Sequence, residues 1–211
     1  MNPAEARNAH NAGKPADAVS PRAAGPGAGP GPGSPAVLLC VGGGISAYKS
    51  AALCSSMVQG GWQVRVAMTA AACRFIQPLT FAALSGRQVA TDLWQQAADG
   101  EILHLSLTRD VRLIIVAPAT ANLLAKFAWG LADELVSAAI LGADCPILLA
   151  PAMNQRMWAS PATQHNVRLL GERGFHFVGP ASGWLAERES GTGRMSEPAE
   201  ILSAARALLP G

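Results

Sequence analysis

The sequence predicts an α/β fold built on a doubly wound parallel sheet. Two observations carry this. Short runs of Val, Ile and Leu recur along the chain without polar alternation, as expected of strands buried on both faces. Each run is followed by a segment of helical character, the order that gives crossover connections and a sheet covered on both sides.

The first strand is expected at Ala36–Val41 and the next helix at 45–59, stopped by Gly60 and Gly61. A second strand follows at Gln63–Met68 and a third at 112–116. Residues 121–141 read as helical with a break near Gly130, 146–150 as a fourth strand and 175–178 as a fifth. A terminal helix is expected at 197–209, ended by Pro210 and Gly211. No internal repeat is present.

Composition divides the chain in two. Residues 1–35 hold seven of the fifteen prolines and six glycines, with almost no large apolar side chains, which predicts a disordered tail. It has no apolar core of a secretory signal, and its Glu5 and Asp17 argue against an organelle transit peptide. Residues 36–211 suit a single domain. Only 14% of the chain is charged, against a usual quarter, while no apolar run nears the ~20 residues of a membrane helix. The surplus apolar surface therefore predicts subunit interfaces and a homo-oligomer. A net charge of +2 without a basic cluster gives no footprint for nucleic acid. Cys40, Cys54, Cys73 and Cys145 have no CxxC spacing and read as buried thiols of a reducing, cytoplasmic compartment, with no metal site among them.

Four segments carry chemistry. Gly42-Gly43-Gly44-Ile45-Ser46-Ala47 joins the first strand to its helix and fits G-x-G-x-x-A. Such a turn lets backbone approach a ligand, and the helix start offers N–H groups to an anion; an ordinary βα turn is the plain alternative. The second strand ends at Thr69 rather than at the acidic residue of a dinucleotide site, which favours a flavin mononucleotide phosphate over NAD. Ala117-Pro118-Ala119-Thr120-Ala121-Asn122 leaves the third strand at the same edge, where Thr120 and Asn122 either cap the helix or hold a ligand. His104, thirteen residues before Ala117, is a structural histidine or an acid/base.

The most specific segment is Pro151-Ala152-Met153-Asn154 with Met157 and Trp158, directly after the fourth strand. Asn154 either caps the helix that follows or turns its amide to a substrate. The last segment runs from Ser182-Gly183-Trp184-Leu185-Ala186-Glu187 to Gly191-Thr192-Gly193-Arg194-Met195. It reads as a flap over a site or as a long surface loop, and Arg194 there suits a carboxylate or phosphate.

Together, Gly42–Ser50, Ala117–Asp133, Pro151–Trp158 and Gly191–Pro198 resemble the flavin-dependent cysteine decarboxylases, most closely those acting on phosphopantothenoylcysteine in coenzyme A synthesis. The resemblance covers about residues 36–200. It implies a flavodoxin-like (Rossmann-type) fold, FMN, and a homotrimer or multiple of trimers. Gly43, Gly44, Ser46, Thr69, Ala117, Thr120 and Asn122 would hold the cofactor. His104 would be the catalytic histidine, and Asn154, Met157, Arg194 and Met195 would face the cysteinyl substrate. The implied chemistry oxidises the cysteinyl group to a thioaldehyde, loses the carboxylate with its electrons on sulfur, then returns hydride and a proton. Bacterial members continue into a ligase domain where this chain ends at Gly211, so a separate phosphopantothenate–cysteine ligase is an expected partner. The pattern departs at one place: the flap usually carries Ala-Cys-Gly, and here Ala186-Glu187-Arg188 stand there. Glu187 is thus a candidate proton donor in place of the cysteine. An oxidative decarboxylase stopping at the enethiol, or a flavin-binding regulatory protein, are the alternatives.

Deleting residues 1–35 should leave activity and assembly unchanged, checked by turnover and sedimentation.

Overall fold

The computed structural model describes residues 34–94 and 102–209. The expected tail lies outside these residues but for its last two. The sheet is five-stranded and parallel in the order β2-β1-β3-β4-β5, where β1 is Ala36–Val41, β2 Gln63–Met68, β3 Leu113–Ala119, β4 Ile147–Pro151 and β5 His176–Phe177. This order is the flavodoxin-like form of the doubly wound sheet.

Strand alternation sorts the core onto two faces. Leu39, Ile115 and Leu148 point to one face, against Leu53 and Met57 of α1 (Ala47–Gln59) and Ile201 and Ala205 of α8 (Pro198–Leu208). Cys40, Ile114 and Leu149 point to the other. There they meet Leu124 and Phe127 of α4 (Ala121–Trp129), Val136 of α5 (Leu135–Leu141) and Leu170 of α7 (Pro161–Glu172). Every residue of β3 and β4 is buried, which is why these runs show no polar alternation.

The break expected near Gly130 is a helix end. Gly130 takes a left-handed φ of 68° and its N–H caps the carbonyls of Lys126 and Phe127. Chain then runs to Glu134, which opens α5 with a reciprocal capping box to Ser137. Strands three and four reach further than expected, to Ala119 and Pro151.

Three helices and the strand pairing of the flap went unpredicted, while α6 (Gln155–Ala159) is the helix expected after Asn154. α2 (Pro78–Ser85) is apolar nearly all round and buries only Phe81, so no face declares itself. α3 (Leu103–Thr108) and α6 (Gln155–Ala159) are under two turns long. α7 buries Thr163, Asn166 and Leu170, a stripe with one apolar residue among three. The expected flap is an antiparallel hairpin of β6 (Ala181–Trp184) and β7 (Ser190–Arg194). Arg65 of β2 fixes α3 from outside, donating to the carbonyls of Ser106 at 3.0 Å, Leu107 at 3.1 Å and Arg109 at 2.6 Å.

Ile115, fully buried in the middle strand, is the reference test of this core. Ile115→Ala should cost about 2–5 kcal/mol in urea denaturation without changing the fold by circular dichroism.

Candidate functional site

All five strands run the same way, so the turns after β1, β2, β3 and β4 leave from one edge. A cavity of about 800 Å³ opens there, lined by those turns and by the β6–β7 hairpin. Gly43, Gly44, Ser46, Thr69, Thr120 and Asn122, predicted as cofactor residues, all line it.

The glycine turn is forced by close packing. A Cβ on Gly42 would collide with the Pro118 carbonyl, and one on Gly43 with Ala71, whereas one on Gly44 would meet the Pro118 and Thr120 side chains at ordinary contact distance. Three turns are thereby drawn together around the start of α1. That start has no side-chain cap: Ser46, its N-cap, makes no such bond. Uncapped N–H groups and the positive helix end beside a cavity are what a phosphate needs. At the start of α4, by contrast, Thr120 accepts the Leu123 N–H at 3.3 Å. Thr69 similarly accepts the Ala72 N–H at 3.0 Å. Both hydroxyls keep a proton to donate toward the cavity. Ala117 corrects the expectation: it is fully buried in β3 and does not line the cavity, and its carbonyl accepts the Ser50 hydroxyl at 2.6 Å.

Asn154 caps the helix that follows it and also lines the cavity. Oδ1 caps α6, accepting from the N–H of Arg156 at 2.7 Å and of Met157 at 3.4 Å. Nδ2 is left to point into the cavity, where it donates to the carboxylate of Glu187. The hairpin base is clamped to the same segment. Met153 N–H donates to the Gly193 carbonyl at 2.9 Å, and a Cβ on Gly193 would strike the Met153 carbonyl. Met157, Arg194 and Met195 also line the cavity. Arg194 is already paired with Glu197, so it is not a free clamp.

Sequence reasoning missed Lys49. It is only 7% exposed in its side chain, lines the cavity, and donates to the Met195 carbonyl at 3.1 Å and to Glu197 at 2.9 Å. The signal was there: Lys49, Leu53 and Met57 share one i, i+4 row, and the latter two are core residues. The neighbouring Lys49 ammonium, and then Arg194, hold the Glu197 carboxyl below its ordinary value. Glu134 was missed too; it lines the cavity and pairs with Lys126 at 3.1 Å.

His104 lies elsewhere. It sits on α3, outside the lining of the cavity, and its buried Nδ1 has no hydrogen-bond partner among the described residues. The four cysteines are unpaired; Cys40 and Cys54 are buried, but Cys73 and Cys145 are part-exposed. Burial pushes the Cys54 thiol up to about 11 and raises the other three, so none is a ready thiolate, and none lines the cavity. No group of metal-binding side chains occurs among the described residues, and none of their helices is long and apolar enough to cross a membrane.

Fold and cavity together define a flavodoxin-like protein with a phosphate-ready glycine turn. Comparison with known proteins adds the family. The flavoprotein family profile matches residues 32–209. The coenzyme A biosynthesis bifunctional protein CoaBC of Bacillus subtilis is 46% identical over 169 residues, 80% of this chain and 42% of that protein. The protein of the same name from Mycobacterium tuberculosis is 43% identical over 173 residues, 82% of this chain and 41% of that one. The chain thus spans less than half the length of these relatives. Among solved structures, a cysteine-to-serine mutant of PPC decarboxylase complexed with pantothenoylaminoethenethiol superposes with a TM-score of 0.74 at 31% identity, covering 82% of this chain and 97% of that one. The FMN-binding protein AtHal3 gives 0.71 at 31% identity, covering 82% and 96%. This chain belongs to the flavoprotein family.

The Lys49–Glu197 pair makes a pH prediction. A carboxyl whose folded value is lowered stabilises fully above its unfolded value, near 4.5, and loses that contribution as pH falls through the folded value. Lys49→Met should therefore lower the urea midpoint at pH 7, and its difference from the wild type should shrink progressively below about pH 4.5.

Proposed function

We propose that this chain is an FMN-dependent carboxy-lyase that decarboxylates phosphopantothenoylcysteine to phosphopantetheine in coenzyme A synthesis, in the cytoplasm. The observation that carries it is the Asn154 amide: its oxygen is committed to a helix cap, so its N–H2 is presented to the cavity, where it already holds a carboxylate. The relatives and solved neighbours support the same substrate class.

The residues fit the cofactor. The start of α1, which has no side-chain cap, would take the FMN phosphate with Ser46, beside Gly44 in the cavity lining. Thr69, Thr120 and Asn122 would flank the remainder from the turns after β2 and β3. When bound, FMN supplies a reversible two-electron acceptor beside the substrate thiol. Asn154 would donate Nδ2 to the substrate carboxylate and orient it for departure as carbon dioxide. Met157 and Met195 would pack the apolar part of the chain, and the hairpin would exclude water. Glu187 would supply the final proton from the position the family gives to cysteine.

His104 would accept the substrate proton in the first half. It lies outside the lining of its own chain's cavity, so it would serve the cavity of a neighbouring chain in a homotrimer or a multiple of trimers. Ile102 and Leu105, beside it on or next to α3, are 59% and 48% exposed and would be covered there. A phosphopantothenate–cysteine ligase would supply the substrate. A second reading follows from Glu187 itself: with no thiol in the cavity lining, the reaction could stop at the enethiol of a cysteinyl or peptidyl-cysteine substrate.

Anaerobic incubation with phosphopantothenoylcysteine separates these. Carbon dioxide release with oxidised flavin and phosphopantetheine is the expected outcome. Bleached flavin and a product two hydrogens lighter would establish the second reading, and no reaction would overturn the first. Glu187→Gln should stall the reaction at the lighter product; full conversion to the saturated thiol would remove Glu187 from the proton step.

A further inference from the structure

A substrate that comes to Asn154 with its carboxylate meets one already there. Asn154 cannot turn its amide to free a second donor, because Oδ1 holds the N–H groups that start α6. Nδ2 carries the two N–H groups that Asn154 offers an anion in the cavity, and Glu187 accepts from it. Glu187 lies at the turn between β6 and β7, thirty-three residues away in sequence. The base of this hairpin is held by the backbone bond from Met153 to Gly193, and Gly191 lies against the Gln155 side chain. The tip is held differently. Its backbone bonds, Leu185 to Glu189 and Arg188 to Leu185, are internal. Among the described residues, Glu187 to Asn154 is the hydrogen bond joining the tip to the rest of the protein.

We infer that Glu187 is a built-in competitor for the carboxylate subsite at Asn154, and that it sets the discrimination between a ligand that still carries its carboxylate and one that has lost it. This rests on the reading that Asn154 holds the substrate carboxylate. Two carboxylates brought together on the N–H groups of one amide repel each other. A carboxylated ligand therefore displaces Glu187 and releases the tip. When the carboxylate leaves as carbon dioxide, Nδ2 is vacant, Glu187 returns to it, and the tip closes over what remains. A ligand without a carboxylate enters with the tip still fastened. A cysteine at this position has no comparable anion to offer, so the competition comes with the glutamate.

Binding, not turnover, tests this on the full-length, flavin-loaded protein. The probes are the S-methyl thioethers of phosphopantothenoylcysteine and of phosphopantetheine, which lack the free thiol and differ by the carboxylate. In Glu187→Ala, and more weakly in Glu187→Gln, the carboxylated probe should bind about tenfold more tightly than to the wild type, with the other probe within about twofold. Equal shifts for both probes, or none for either, would overturn the inference. Hydrogen exchange across residues 185–189 of the ligand-free protein is the second arm. It should quicken in Glu187→Ala and in Asn154→Asp, which keeps the cap oxygen and removes the donor. Unchanged exchange in both variants overturns the inference as well. If the wild type releases no carbon dioxide from phosphopantothenoylcysteine while exchange still quickens, the proposed reaction fails and the competition stands. If turnover is normal and exchange is unchanged, the reverse holds.

Discussion

The parallel pairing of β1 with β2 and β3, and of β3 with β4, is the constraint from which the site follows. Strands buried on both faces have no register freedom, because a slip of one residue would exchange the two apolar faces. Their ends are therefore fixed, and with them the starts of α1, α4 and α6. The cavity is what remains between three helix starts that packing has brought together. Three of its polar groups begin helices: Ser46, Thr120 and Asn154 are the N-caps of α1, α4 and α6. Two of the three spend an oxygen on their helix, and the one that does not stands at the turn best suited to an anion.

A second set of links ties the hairpin to this frame. Glu197 accepts from both Lys49 and Arg194 and so joins α1, the end of β7 and the start of α8. Lys49 is buried, and an ammonium out of water needs its acceptors; leaving it unpaired would cost more than the pair gains. The interaction thus fixes position in addition to the stability it contributes above about pH 4.5.

Much of this was legible in the chain. Buried parallel strands announce themselves through unbroken Val, Ile and Leu, which located β1 and β2 to the residue and β3 to β5 closely. The turns that carry ligand chemistry could be read from Gly43, Gly44, Thr120 and Asn154 because strand ends were known. What could not be read depended on contacts between distant segments. α7 buries two polar residues against α4 and shows no apolar stripe. Ala117 was taken for a ligand residue by its place in the segment, and only the structure shows its carbonyl given to Ser50. Lys49 carries no signal of its partners, nearly 150 residues on, until the structure brings them into view. The hairpin was visible as glycine-rich chain but not as paired strands, since Gly191 and Gly193 serve close approach to residues 153–155 rather than strand propensity.

The manner in which the hairpin is fastened separates two exchange processes. Its base is stitched to Met153 by backbone and pinned through Glu197 to the helix that starts at the glycine turn, while its tip, among the described residues, is joined to the rest of the protein by one side-chain hydrogen bond and by the packing of the buried Leu185. Loosening the tip leaves the walls around Ser46 and Thr120 untouched. Small molecules can then come and go through a doorway a few residues wide without loosening the pocket floor, so a tightly held cofactor and a quickly released product are compatible in one cavity.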